Sequence, residues 1–269
     1  MKIATYFPSP NLAPHVERFL IVKNEQAACN ISKMVPRGFS AFIFTSPDMA
    51  IVGNKLGKVS ADLRPGHIYY GGLGIKPAEM TINDKAYFIV VLLHPYLTGV
   101  FLNEDAKYFC ENCSCITDLN GETRSFASLL WEANTDLEKI KLIEYFLLKN
   151  LKRSVSNIYA ERAIKYIYQE KGCITPAELA KQVYTCERNL RRNFDQFVGI
   201  SPKQYADIVR FNSFMRELYT GTNSHLETLA FHYNYYDLSH LNKDFNRFLG
   251  ICPSLNFLQD RTVNISILG

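Results

Sequence analysis

The sequence has no apolar run of the ~18–20 residues that a membrane-spanning helix requires; its longest, Tyr87–Leu93, is the length of one strand. Residues Met1 to Pro8 lack the sustained apolar core of a secretory leader, which predicts a cytoplasmic protein with no membrane partner. Cysteine pairing is missing too. Seven cysteines is an odd number, and Cys29, Cys173, Cys186 and Cys252 are scattered, as buried small hydrophobes or free thiols are. Charge of one sign is also scarce: the net charge is +4, and residues 156–269 hold thirteen Lys/Arg against eleven Asp/Glu. Charge alone therefore leaves no nucleic-acid footprint. No nucleophile–base set stands out, so no catalytic residue and no cofactor is expected.

What is present is globular. A hydrophobic content of 47% with 21% charged residues describes a folded chain, and 269 residues suffice for two domains. From residue 17 to 94 short β-rich runs alternate with turn residues: Phe19–Val22, Ala41–Phe44, Met49–Val52, Lys58–Leu63, His67–Tyr70, Glu79–Ile82 and Tyr87–Leu93. This punctuation predicts an antiparallel sandwich or small barrel. Residues 95–120 have no clear pattern. Thr135 and Glu138 then form a capping-box signature, opening a helix with Leu137, Ile140, Ile143, Phe146, Leu147 and Leu151 on its apolar stripe. That stripe could cover the β domain or pair with a second copy. A linker is expected near Lys152–Ser156, and residues 159–257 read as helical.

The strongest signal is a repeat. Leu190-Arg191-Arg192-Asn193-Phe194-Asp195-Gln196-Phe197-Val198-Gly199-Ile200-Ser201-Pro202 recurs 51 residues on as Leu241-Asn242-Lys243-Asp244-Phe245-Asn246-Arg247-Phe248-Leu249-Gly250-Ile251-Cys252-Pro253. Leu, Phe and Phe at spacings of four and three make one helix face. Gly199 and Gly250 suit the positive φ of a helix end, and Pro202 and Pro253 the first turn of the next helix. Each copy follows a short helix with a small residue, Ala180 or Ala230, and a turn, which is helix-turn-helix architecture. Residues 202–219 between the units span roughly 27 Å as a helix. Such a connector can set two recognition helices about one DNA turn apart, so one chain can grip two successive major grooves.

Over residues 159–257 the chain resembles the DNA-binding domain of the AraC/XylS family of bacterial regulators, on the run Leu229-Ala230 to Gly250-Ile251-Cys252-Pro253. The resemblance implies an α+β protein: an N-terminal cupin-like jelly-roll β domain with flanking helices, then an all-α domain with two helix-turn-helix units joined by a long helix. The expected division is 1–120 as a sensor domain, 121–155 as a helical dimerisation or linker segment, 156–260 as the DNA-binding domain and 261–269 as a tail. Implied partners are double-stranded DNA, a small-molecule effector, RNA polymerase and a second copy of the chain. The positions matching the family's DNA contacts are Arg188, Arg191 and Arg192, with Asn189 nearby, and then Leu238, Ser239, His240 and Lys243. Asn242 and Arg247 are expected to reach phosphate. Arginine can fork onto guanine or clamp phosphate. Ser239 is a candidate cap of its own helix.

Four departures from the family pattern carry expectations. Asn234 replaces the glycine of the second turn and Tyr184 that of the first, which predicts a distorted first turn. Cys186 replaces the usual hydroxyl cap, and Lys243 replaces arginine and its fork. In the N-terminal half, His67 and His94 stand alone rather than in the His-x-His arrangement of metal-binding cupins, so no metal is expected. Phe42, Phe44, Tyr69, Tyr70, Tyr87 and Phe88 are candidate walls of an effector pocket, although strand alternation puts only half of them on one face. Cys110, Cys113 and Cys115 lie within six residues and could bind a soft metal or form a redox switch. The resemblance separately opens the alternative of a cysteine-based alkyl-damage-responsive regulator. A second alternative is a protein–protein module that has lost specific DNA binding.

Overall fold

The computed structural model describes residues 1–25, 30–56, 59–97, 101, 104–118, 121–151, 158–220 and 226–250. The expected linker at 152–156, Cys29, Cys252, Pro253 and the tail lie outside them.

Among the described residues, ten antiparallel strands form two sheets. They are β1 (Lys2–Tyr6), β2 (Val16–Asn24), β3 (Asn30–Met34), β4 (Ser40–Thr45), β5 (Gly53–Leu56), β6 (Val59–Ser60), β7 (Ile68–Gly71), β8 (Ala78–Ile82), β9 (Ala86–Leu93) and β10 (Cys113–Cys115). The larger sheet runs β1-β2-β9-β4-β7-β10 and the smaller β3-β8-β5-β6. Alternation along the central strands explains why two sheets and a helical layer stack here. Ile89, Val91 and Leu93 of β9 join the core beneath the helices, whereas Ala86 and Phe88 join the core between the sheets. β4 divides in the same way, with Phe42 and Phe44 on the helix side and Ile43 on the sheet side.

Two helices, α1 (Gly121–Glu132) and α2 (Asp136–Leu151), cover the outer face of the larger sheet. Phe126 of α1 stacks on Phe146 of α2 at 4.4 Å between centroids and meets Phe44 edge-on at 6.0 Å. The α2 capping box is formed: Thr135 Oγ1 accepts from the Glu138 N–H at 3.2 Å, and Glu138 Oε2 accepts from the Thr135 N–H at 3.0 Å. The stripe of α2 is thus turned inward onto its own sheet. Leu137 is an exception, 53% exposed. At about 100° per residue it lies a quarter-turn from the stripe's centre.

The remaining helices are α3 (Ile158–Gln169), α4 (Pro176–Gln182), α5 (Glu187–Phe197), α6 (Pro202–Thr220), α7 (Leu226–His232) and α8 (Leu238–Leu249). They pack onto the β domain rather than beside it, and one continuous apolar cluster runs from Phe19 and Ile89 to Phe194, Phe214 and Phe245. The buried Tyr205 of α6 donates its hydroxyl to the Gly38 carbonyl at 3.2 Å, and Asn212 Nδ2 donates to the Pro36 carbonyl at 2.9 Å. Gly199, at φ +94°, closes on Ala106: a Cβ there would stand 2.7 Å from the Ala106 carbonyl oxygen. Any side chain at residue 199 would therefore push the first unit off the β domain.

Candidate nucleic-acid interface

Each helix-turn-helix unit is built on the same internal contacts. In the first, Leu179, Ala180 and Val183 pack on Leu190 and Phe194; in the second, Leu229, Ala230 and Tyr233 pack on Leu241 and Phe245. Thr175 and Glu178 close a capping box at the start of α4, with Pro176 in its first turn. The first turn is not distorted, contrary to the expectation from Tyr184. Tyr184 and Asn234 both take φ +56°, and the two turns close alike: the Thr185 N–H donates to Ala180 at 2.9 Å and the Tyr235 N–H to Ala230 at 3.0 Å. Because the Tyr184 ring is 87% exposed, it adopts the left-handed backbone without a packing clash.

The recognition helices α5 and α8 begin differently. Cys186 makes no side-chain cap, as expected, while Asp237 accepts from the His240 N–H at 2.6 Å. Asp237, and not Ser239, is therefore the cap of α8. Arg188, Arg191 and Arg192 are exposed on α5, and no carboxylate pairs with any of them among the described residues. Arg192 Nη2 donates to Asn189 Oδ1 at 2.9 Å, and Asn189 Nδ2 donates to Thr185 Oγ1 at 2.7 Å. This relay holds one arginine against the helix start. On α8, Leu238, Ser239, Asn242 and Lys243 are exposed, and His240 lies edge-on to Tyr235 at 5.1 Å. Arg247 is held back: Nη1 pairs with Asp207 at 3.3 Å and its guanidinium lies over the Phe248 ring.

A polar group the repeat conceals ties α8 to the connector. Asp244, 6% exposed, accepts from Arg210 Nη2 at 2.9 Å and from the Tyr235 hydroxyl at 3.0 Å. Arg210 in turn stands 3.5 Å from Asp207 and over the Tyr235 ring. Burial works against the Arg210 charge, but Tyr235, Asp207 and Asp244 outweigh it and raise its pKa. Burial, then Asp244, raises that of Tyr235. The signal is present in the sequence, as Asp244 and its repeat partner Asn193 interrupt the exposed face at a position that points inward.

The six expected pocket residues do not converge. Phe42, Phe44 and Tyr70 lie in the core under the helices, Tyr70 edge-on to Phe42 at 5.2 Å. Tyr69 and Phe88 lie between the sheets, and Tyr87 packs on Trp131 with its hydroxyl donated to Asp136 at 2.6 Å. Phe88 alone of the six lines either of two cavities that bear on an effector. One, of about 280 Å³, is lined by apolar side chains between the sheets, including Val22, Met80, Ile82, Phe88 and Val90. The other, of about 700 Å³, lies between the domains, where Glu17, Arg18, Arg37 and His94 face Asn212, Arg216 and Glu217 of α6, and Arg18 Nη2 donates to Glu17 at 2.9 Å. Arg37, Phe39 and Leu92 line both. Burial, with the nearby Arg18, lowers the pKa of Arg37, and burial lowers that of His94. Arg18 Nε is buried without a hydrogen-bond partner.

The cysteine cluster splits between a turn and the edge strand β10. Burial pushes the Cys110 and Cys113 thiols up to about 11, the opposite of an activated nucleophile.

Residues 179–255 match the family described as a helix-turn-helix domain, and residues 4–114 a domain of unknown function, DUF6597. No curated protein matches. Among solved structures, ToxT from Vibrio cholerae is similar at 12% identity, over 96% of this chain and 98% of that one, with a TM-score of 0.49. The AraC-like transcriptional activator CuxR aligns at 14% identity over 80% of this chain and 87% of its own, with a TM-score of 0.34. A Cupin_2 domain of an XRE family regulator from Enterobacter cloacae aligns at 14% identity over 35% of this chain and 94% of its own, with a TM-score of 0.27. The chain thus joins a β domain that matches DUF6597 to a helix-turn-helix domain over residues 179–255.

Proposed function

We propose that this chain, with its AraC-type helix-turn-helix domain, is a cytoplasmic transcription regulator that reads a specific operator with α5 and α8 in successive major grooves. The observation that carries the reading is the face of α5. Three arginines stand exposed there without carboxylate partners, on a helix whose twin begins beyond the 19-residue α6. Arg188, Arg191 and Arg192, with Asn189, supply the first set of contacts. Leu238, Ser239, His240, Asn242 and Lys243 supply the second. Arg247 would have to leave Asp207 to reach phosphate.

Effector control belongs to the same proposal. The interdomain cavity touches both the β domain and the connector between the two reading units, so its occupant would bias their spacing. Its arginines beside an apolar chamber suit a small anionic molecule with an apolar body. A homodimer would cover the outer face of α2, where Leu137 and Tyr145 are 53% and 68% exposed about two turns apart. Contact with RNA polymerase is part of the same reading.

In-vitro selection of duplexes with the full-length protein tests the core claim. Two short motifs about one helical turn apart are expected, and Arg192→Ala should weaken the selected site by ~1–3 kcal/mol. Salt-insensitive retention without sequence enrichment would favour the protein–protein alternative instead.

A further inference from the structure

We propose that Tyr236 is a specificity-determining residue that sets its ring against the C5-methyl group of a thymine in the groove read by α8. The inference rests on the DNA-binding reading above. It comes from a mismatch between the two units. Their turns align at an offset of 50 residues: Tyr184 with Asn234 in the left-handed region, and the Thr185–Ala180 bond with the Tyr235–Ala230 bond. Their recognition helices align at 51, with Leu190 matching Leu241 and the cap residue Cys186 matching Asp237. The second unit therefore carries one more residue between turn and cap. That residue is Tyr236.

Both neighbours of Tyr236 are committed. Tyr235 is 1% exposed with its hydroxyl on Asp244, and Asp237 is locked onto the His240 N–H. The added residue has no route inward. Its ring is 91% exposed, the most exposed large hydrophobic side chain among the described residues. It stands beside the N-terminal end of the recognition helix, the end that approaches base edges. Apart from its hydroxyl, the ring has little to offer a phosphate, whereas the major groove displays one apolar group, the thymine methyl. The second unit also has fewer cations than the first, with Lys243 where α5 has Arg192, so an apolar contact there would add base discrimination that charge does not supply.

The experiment is a set of binding titrations with the full-length protein on its selected duplex. They are repeated on the same duplex with the thymines of the second motif replaced by deoxyuridine, which removes only the methyl. Tyr236→Ala should bind the thymine duplex about five- to tenfold more weakly, and Tyr236→Phe should bind it like the wild type. Deoxyuridine should weaken the wild type by a similar factor and leave Tyr236→Ala unchanged. Equal loss in Tyr236→Phe and Tyr236→Ala would assign the contact to the hydroxyl and a phosphate, overturning the proposal. So would a wild type indifferent to deoxyuridine. If the DNA-binding reading itself is wrong, selection with the wild type enriches no sequence at all, an outcome separate from either and one that removes this proposal with it.

Discussion

Tyr184 holds a left-handed backbone at φ +56° with its ring in solvent, so the strain there has no packing to offset it. A side chain in that region costs roughly 1–2 kcal/mol, and the extra chain entropy that glycine loses on folding costs about 0.5–1 kcal/mol. The strain outweighs the entropy. Tyr184→Gly should therefore stabilise the protein by up to ~1 kcal/mol, read as a higher urea midpoint at unchanged slope, and Asn234→Gly should gain less because asparagine tolerates the conformation. A lower midpoint for Tyr184→Gly would mean that the ring makes a stabilising contact. The sequence makes this position legible as a departure from glycine, yet it misleads about the outcome. The turn's shape is fixed by the Thr185–Ala180 bond and by the packing of Val183, not by the preference of one residue. Ser239 misleads in a similar way: a hydroxyl near a helix start is a good cap only if no carboxylate reaches the first turn sooner, and Asp237 does.

The legible elements are those with strong periodicity. α2, α5 and α8 follow from their stripes, and β2, β4, β7, β8 and β9 from alternating apolar runs. β1 and β3 escape sequence reading because they are edge strands, and an edge strand needs little apolar content of its own. Met49–Val52 has the composition of a strand, but the strand proper is β5 (Gly53–Leu56), with Val52 making only an isolated bridge to Leu63. β10 forms where residues 95–120 show no pattern, because its three residues are held by pairing with β7. The tie of α8 to α6 is half legible: the sequence marks Asp244 as an inward polar position, but not its partner Arg210, 34 residues away in the chain. Asp244→Ala would leave Arg210 buried with only the more distant Asp207, and breaking such a pair costs about 3–5 kcal/mol. The lower end is expected here because Asp207 remains. Chemical denaturation should show that loss. A change under ~1 kcal/mol would mean that Arg210 reaches solvent once its partner is gone.

Across the whole molecule, the sequence suggests two domains joined by a linker, but the folded chain has one apolar cluster passing between them. Gly199 against Ala106, Tyr205 against Gly38 and Asn212 against Pro36 clamp the first reading unit and the connector to the β domain. The expected pocket walls disperse for the same reason, with Phe88 alone of the six on a cavity described above: aromatic content marks the cores on both sides of a sheet, whereas a cavity is a gap left between elements distant in sequence. The gap here sits at the clamp, with Arg37 between an apolar chamber and a polar cleft that reaches Arg216 on the connector. Arg18 is already paired with Glu17, so an anionic head group there would sit against Arg37 and Arg216 while its apolar body fills the chamber between the sheets. An alkyl carboxylate should therefore bind more tightly than the alcohol of equal chain length, as read by calorimetry on the full-length protein. Arg37→Ala or Arg216→Ala should remove most of that difference, about tenfold for a charge-assisted hydrogen bond, and leave the alcohol unaffected. Phe88→Trp, which fills the chamber, should weaken both ligands alike. Acid and alcohol binding equally, or an acid preference that survives both arginine substitutions, would show that this cavity does not select an anion.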